Sequence, residues 1–505
     1  MADLSDKLSE IDEALRTGQT ASARKLLDAV LKGNIPRQFR WKVAALCRRS
    51  GVSEKAARLL HPYVRGSSAR QAAPSPNELV EYAGALERLG ALNESVRLLK
   101  SINGEHHPRA LLYFAYCEIA QWNYGGAIPK LEQFLRNDLP TPYDKLVAAV
   151  NLAAALVYER RLGEGLEKCQ QLIEHAKQVT SNRLRANLHE IRAQALLWEK
   201  KWEAAQKELE TARELLCSEN HDYLYVMKWQ ALIRCYRNPE DTAAFLELRK
   251  VRAIAQKKPD YETVRDCDRH ESFLKKDVDL FIHLYFGTPH PALRQRLLEE
   301  SSPASIPSTY DWTLQPGKGA AICDLSLADP SLSAGLKAGQ LTYKLMRALS
   351  SDFYRPVSTT EIHNLLHPDD YFNPETTPLR VYQTISAARK WIVSSSLPFE
   401  IHEHQGSYEF RTHGPLVLRC PNPDANQDEN SVFVRQLKER WGVTPFTTKE
   451  VSSFLKISPR LAVLRLRTAC DSGLLSQEGQ GRSTKYRASP PSSVAPLKKT
   501  AGPGS

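Results

Sequence analysis

Two segments, LTYKLMRALSSDFYRPVSTTEI (341–362) and LRVYQTISAARKWIVSSS (379–396), decide how the C-terminal part of this chain folds. In the first, Leu341, Leu345, Met346 and Leu349 recur at helical spacing. Arg355-Pro356-Val357 then interrupts the helix, and Ser358 or Thr359 can cap a second one. A loop rich in Pro, Asp and Asn (367–378) leads to the other segment. There Val381, Ile385, Ala388 and Ile392 form one apolar face, and Arg380, Gln383, Ser386, Arg389 and Lys390 point the other way. Two short alternating runs follow, FEIHEH and SYEFRT, joined through Gln405 and Gly406, a β-hairpin pattern. Three helices closed by a hairpin predict a winged helix-turn-helix.

These residues resemble the DNA-binding effector domain of OmpR-type response regulators. The resemblance rests on RPVSTTEI, on VYQTISAARKWI, and on Gly406, Tyr408 and Phe410 at the end of the hairpin. It covers about 70 residues, and no receiver domain is evident ahead of it. It implies that the third helix enters the major groove of duplex DNA, with Arg380, Gln383, Ser386, Arg389 and Lys390 facing the nucleic acid. The wing departs from the family, with His404-Gln405-Gly406-Ser407-Tyr408-Glu409 in place of a basic, glycine-rich tip. Ahead of the first helix, YDWTLQ and AAICDL flank the turn-forming Pro316-Gly317-Lys318-Gly319 and are expected to add a small antiparallel sheet.

Upstream, residues 1 to about 270 carry almost no strand signal. A small residue on one helix is answered 12 positions later by a small residue on the next, and apolar residues follow 4 and 7 positions beyond. The pairs are Ala44/Ala56, Ala83/Ser95, Ala115/Ala127, Ala153/Gly165 and Ala193/Ala205, with weaker copies at Ile11/Ala23 and Leu232/Ala244. Antiparallel helices joined by a tight turn approach closely only where both present small side chains, so the step predicts stacked helical hairpins. The pattern is similar to the tetratricopeptide repeat (TPR). Its start-to-start steps of 39, 32, 38 and 40 residues are uneven. The positions that hold acidic chaperone tails in such repeats are here Trp41, Val80, Leu112, Val150 and Glu190, which disfavours that ligand. Tyr82, Tyr113, Tyr116, Tyr158 and Trp198 either line the groove or pack between repeats.

A second unit follows the polar segment CPNPDANQDEN. Phe433, Leu437 and Trp441 share a helix face, Thr447 or Thr448 caps KEVSSFL, and Pro459 opens RLAVLRLRTACDSG. LLSQEGQGRSTKYRAS then reads as a hairpin, again resembling a winged helix, with Gly481, Arg482 and Tyr486 at its wing. Its candidate DNA contacts are Arg460, Arg465, Arg467, Arg482 and Lys485. Residues 341–413 carry seven cations and eight acids, whereas 431–487 carry eleven cations and four acids. Phosphate neutralisation supplies most non-specific DNA affinity, so the second unit is expected to bind more strongly.

The fold class expected is mostly α, with a TPR-like α-solenoid followed by two small α+β winged helix-turn-helix domains. The expected divisions are a repeat domain (1–275), a capping helix and linker (276–308), a first winged helix (309–413), a linker (414–430), a second winged helix (431–488) and a disordered tail (489–505). The net charge of +11 suits a polyanionic partner. Nine isolated cysteines without a CxxC pair read as reduced, buried thiols. The polar N-terminus lacks a secretory pattern, and no run of 18 apolar residues occurs, so a cytoplasmic protein off the membrane is expected. Neither HExxH, GxSxG nor a phosphate-loop signature is present, so no enzyme activity, cofactor or metal is expected. The leading functional expectation is a DNA-binding transcriptional regulator. Its repeats take a protein or peptide partner, its winged helices bind duplex DNA, and a homodimer is allowed. The alternative is a scaffold subunit whose winged helices make protein contacts.

Overall fold

The structure is a computed structural model that describes residues 2–488 except 18, 67–71, 179–181, 217–221, 302, 304, 425–432, 435–436, 438–439, 443, 456, 472–474 and 480–483. Fourteen helices pair into seven hairpins: α1 (Ala2–Arg16) with α2 (Thr20–Leu31), α3 (Arg37–Arg49) with α4 (Ser53–Arg65), and α5 (Pro76–Leu89) with α6 (Leu92–Lys100). Next come α7 (Arg109–Ile119) with α8 (Tyr124–Arg136), α9 (Pro142–Tyr158) with α10 (Leu162–Gln178), α11 (Asn182–Trp198) with α12 (Trp202–Leu215), and α13 (Tyr223–Arg237) with α14 (Thr242–Lys257). Every small-residue pair read from the sequence sits buried at a crossing within one hairpin. Ser95 shows why size matters there: its hydroxyl donates to the Ala83 carbonyl at 2.8 Å, across the crossing of α5 and α6.

In the five hairpins from α3–α4 to α11–α12 the turn is as regular as the crossing. Seven residues after the small residue stands one with left-handed backbone: Gly51 (φ 80°), Gly90 (φ 90°), Trp122 (φ 60°), Arg160 (φ 62°) and Lys200 (φ 60°). At each, the next amide donates to a carbonyl five residues back, as from Ala91 to Leu86 and from Lys201 to Leu196, both at 2.9 Å. This closure ends a helix and reverses the chain at once. Glycine adopts it freely, whereas a residue with a Cβ is strained there by about 1–2 kcal/mol.

Three further helices follow, α15 (Tyr261–Lys275), α16 (Val278–Phe286) and α17 (Pro291–Ser301). The sequence suggested one closing helix over the last repeat. Instead α16 packs against strand β1 (Thr309–Gln315), and α17 runs back to the turn between α9 and α10.

The first C-terminal unit holds β1, β2 (Ala321–Asp324), α18 (Leu341–Leu349), β3 (Val357–Ser358), α19 (Thr359–Leu366), α20 (Thr377–Ser394), β4 (Phe399–His404), β5 (Ser407–Thr412) and β6 (Leu416–Pro421). Its three helices and the β4–β5 hairpin follow the order read from the sequence. Ser358 caps α19 with a reciprocal Glu361 contact, and Gln405 and Gly406 turn the hairpin with φ of 51° and 75°. Two readings need correction. The sequence reading places residues 414–430 in a linker, yet β6 lies within them and is the central strand of the sheet β1–β6–β2. The expected antiparallel pairing of β1 with β2 gives way because β6 inserts between them, antiparallel to β1 and parallel to β2. The reason is burial: Leu416, Leu418 and Cys420 alternate inward, which binds this run to the core.

The second unit comprises helical residues within 433–441, α21 (Thr448–Leu455), α22 (Pro459–Asp471) and the antiparallel strands β7 (Leu475–Glu478) and β8 (Lys485–Ala488). Its core gathers Phe433, Leu437, Phe446, Val451, Leu466 and Tyr486. The expected tail, 489–505, lies outside the described residues. Among the described residues no helix is long and apolar enough to cross a membrane.

Urea denaturation of the full chain tests the two repeated devices separately. Lys200→Gly relieves a strained turn and is expected to stabilise by about 1 kcal/mol. Ala115→Leu overfills a crossing and is expected to cost roughly 1–3 kcal/mol.

Candidate functional site

Helix α15 reads as polar, YETVRDCDRHESFLK, yet ten consecutive residues from Thr263 to Ser272 are buried. Burial of so many charges is tolerable only with partners, and each one has a partner on a neighbouring element. Arg265, fully buried, places Nη2 2.9 Å from both Asp352 oxygens and donates from Nη1 to Thr288 Oγ1 at 2.6 Å. Asp266 accepts from Lys228 Nζ at 2.6 Å and from Arg269 Nη1 at 2.9 Å. Asp268 pairs with Arg252, Arg269 with Glu300, and Glu271 with Arg249. His270 Nδ1 lies 2.9 Å from the Tyr236 hydroxyl. Burial alone would raise the Asp266 carboxyl, but Lys228 and Arg269 hold it well below the usual carboxylate range. Burial pushes His270 down to about 3, so its ring is neutral.

Between α15 and the inner helices α9, α11 and α13 lies a cavity of about 240 Å³. Trp122, Tyr124, Tyr158, Trp198, Tyr225 and Trp229 supply aromatic wall, and Glu190, Lys228, Asp266, Arg160 and Arg269 supply charge. Burial pushes the Glu190 carboxyl up to about 7, although Gln194 Nε2 donates to it at 2.6 Å. Trp122 and Arg160, two of the strained turn residues, both reach this wall. Trp122 Nε1 donates to Glu262 at 2.7 Å, which ties the turn between α7 and α8 to α15.

A second, larger groove of about 1020 Å³ runs along the inner helices α1, α3, α5, α7 and α9. Trp41, Leu112, Tyr113, Tyr116, Tyr143 and Val147 form its apolar parts. Seven cations (Arg16, Lys42, Arg48, Arg49, Arg88, Arg109, Arg183) and four acids (Asp12, Glu13, Glu81, Asp144) line it. Its floor is a buried cluster in which Tyr113 Oη donates to Glu81 at 2.9 Å, while Arg48 and Arg109 each lie 3.5 Å from that carboxylate.

The first unit is fixed to the solenoid at both ends. Phe372 is buried among residues of the first three hairpins, its amide donates to Glu94 at 2.6 Å, and its carbonyl accepts from Tyr82 at 3.1 Å. Arg97 holds the Pro368 and Asp370 carbonyls, and Ser358 reaches the Leu89 carbonyl. At the other end Asp352 meets Arg265, and the Phe353 amide donates to the Gly287 carbonyl.

The residues proposed from sequence to meet DNA fall into several environments. On α20, Arg380 lies 3.2 Å from Asp370, and Arg389 donates twice to the Ile401 carbonyl. Gln383 and Lys390 are exposed and Ser386 is half-buried. Between them the helix exposes Leu379, Tyr382 and Val393, so its outer face is mixed and not basic. On α22, Arg460 and Arg467 are exposed, whereas Arg465 is half-buried, beside Gly339 and over the Phe433 ring. Lys485 is exposed on β8, and Arg482 lies outside the described residues. Exposed Leu461, Val463 and Leu464 interrupt the basic face of α22.

Of the aromatics singled out in the sequence, Tyr113 and Tyr116 line the larger groove and Tyr158 and Trp198 the smaller cavity, while Tyr82 is core. Lys228, Asp266, Arg269, Arg48 and Glu81 were not singled out. The available signal was a charged residue within an otherwise apolar stretch, such as Lys228 within YLYVMKWQALI.

No protein-family model matches the chain, and no curated protein matches it. Among solved structures, the chain is similar to a Rap protein complexed with Competence and Sporulation Factor, at 11% identity and a TM-score of 0.39, over 93% of this chain and 99% of that one. It is also similar to the apo form of RapI, at 12% identity and a TM-score of 0.38, over 78% of this chain and 99% of that one. Likeness of this grade says nothing about function.

The Lys228–Asp266 pair has a direct test. Asp266→Ala leaves an ammonium buried without its main partner and is expected to cost about 3–5 kcal/mol. The double variant Lys228→Met/Asp266→Leu is expected to recover most of that loss in a double-mutant cycle followed by urea denaturation.

Proposed function

We propose that this protein is a helical-repeat adaptor: the groove along α1 to α9 takes an extended acidic peptide, and the first C-terminal unit makes protein contacts. The observation that carries this reading is the groove itself. It is long, partly aromatic, and lined by seven cations against four acids. Arginine and tyrosine pair apolar area with donors, which suits a chain carrying carboxylates and apolar side chains. Two features favour protein contacts for the first unit. It is locked to the solenoid at two places, and two arginines of its third helix are held by Asp370 and the Ile401 carbonyl. An array of random peptides, probed with the full chain, tests the proposal. Retained sequences are expected to be rich in Asp and Glu, and Arg88→Ala/Arg109→Ala is expected to weaken them at least about tenfold. Retention that ignores peptide charge, or that survives the double variant, would refute it.

A second reading, duplex-DNA binding and hence transcriptional regulation, is favoured by the second unit, where Arg460, Arg467 and Lys485 are exposed. Fluorescence anisotropy on a DNA duplex across a salt series separates the two. DNA contact through this unit requires binding that falls steeply with salt and falls again in Arg460→Ala/Arg467→Ala. If both variant and parent stay at background at low salt, the adaptor reading stands alone.

A further inference from the structure

The smaller cavity is not part of the peptide groove, and it is lined by three cations (Arg160, Lys228, Arg269) and four acids (Glu190, Asp260, Glu262, Asp266). At its Arg160 end three guanidinium groups surround one carboxylate: Glu300 lies 2.7 Å from Arg269, 3.4 Å from Arg160 and 3.5 Å from Arg296. Asp266, the other acid near them, is shared between Arg269 and Lys228. Arg160, Arg269 and Arg296 thus share the Glu300 carboxylate, and Arg296 also lies 3.9 Å from Glu299. Burial, with Arg269 and Arg296 nearby, lowers Arg160 to about 10, and Glu300 opposes the shift. Two polar groups of the wall, Tyr158 Oη and Trp229 Nε1, are buried without a hydrogen-bond partner among the described residues, and Trp229 is 95% buried. Both can donate, and a buried donor left unpaired costs about 1–3 kcal/mol. Around them stand the rings of Trp122, Tyr124 and Tyr225.

We infer that this cavity binds a small aromatic carboxylate, its ring against the Trp and Tyr wall and its carboxylate at the Arg160 end. Such a ligand supplies a second carboxylate to arginines that share Glu300 and an acceptor for the orphan donors, and a cavity of about 240 Å³ suits a group of one ring and a short acid arm. The same chemistry is offered by a free aromatic acid and by a peptide ending in an aromatic residue. Arg160, at the turn between α9 and α10, lies across the Trp198 ring at 3.3 Å.

Isothermal titration of the full chain tests the inference with benzoate, N-acetylphenylalanine, benzamide and acetate. Saturable heat is expected from benzoate, from N-acetylphenylalanine, or from both, and the stronger of the two identifies the free acid or the peptide end. Benzamide, which lacks the charge, and acetate, which lacks the ring, are each expected to bind at least about tenfold more weakly. Arg160→Gln keeps a long polar side chain and is expected to lose at least about tenfold for the acid while benzamide is unchanged. Circular dichroism checks its fold, and should it not fold, Tyr158→Phe, which removes one donor and keeps the ring, takes its place with a smaller loss. Equal binding of benzoate and benzamide, no saturable heat from either acid, or an unaltered acid affinity in a folded variant would overturn the assignment.

Discussion

A helix that buries five charged residues and a histidine in a row of ten is the constraint on which the remaining architecture depends. Water can no longer solvate α15, so each charge must be met by a fixed partner, and those partners come from α13, α14, α17 and the segment after α18. A hydrophobic axle could slide or rotate among its neighbours. One built of paired charges cannot, because a shift of register would strand several ions at once. The arrangement therefore fixes the angle at which the last repeats, the returning helix α17 and the first C-terminal unit meet. That junction also frames the smaller cavity.

How much of this was legible follows from the range of the interactions. The hairpin crossings were readable because contact between neighbouring helices is local, and the small residues it needs recur at a fixed step. The three helices and hairpin of the first unit were readable for the same reason: caps, turn residues and apolar faces all act within a few positions. Strand β6 was missed because a strand's partner is set by the whole sheet, and LVLRCP followed a hairpin that looked complete. The role of α15 was hidden more deeply. Taken alone its charges describe a solvated helix, and only Arg265 meeting Asp352, 87 residues away, reveals an interior.

The site residues divide along the same line. Aromatics such as Tyr116 and Trp198 stand out in a sequence, but whether they line a groove or fill a core depends on the curvature of the stack. The arginines of α20 stood in the positions a nucleic-acid reader would use, and the fold gives two of them partners within the same unit. A positive residue in a recognition-like helix is thus an ambiguous sign until its neighbours are known. Lys228 offers the converse lesson, since a lone cation within an apolar stretch of α13 ends in a buried ion pair.

The turns within the hairpins share one edge of the stack, and the later segments lie along it: Ser358 against Leu89, Glu262 against Trp122, and Arg296 against Tyr158. In the five hairpins from α3–α4 to α11–α12 this edge keeps strict time, with the left-handed residue seven positions after the crossing. The uneven repeat lengths all arise elsewhere, in the helices themselves and in the connections between hairpins on the opposite edge. The molecule thus has a constrained margin and a permissive one. Length variation among descendants of this chain, or a reporter grafted in the laboratory, belongs on the second.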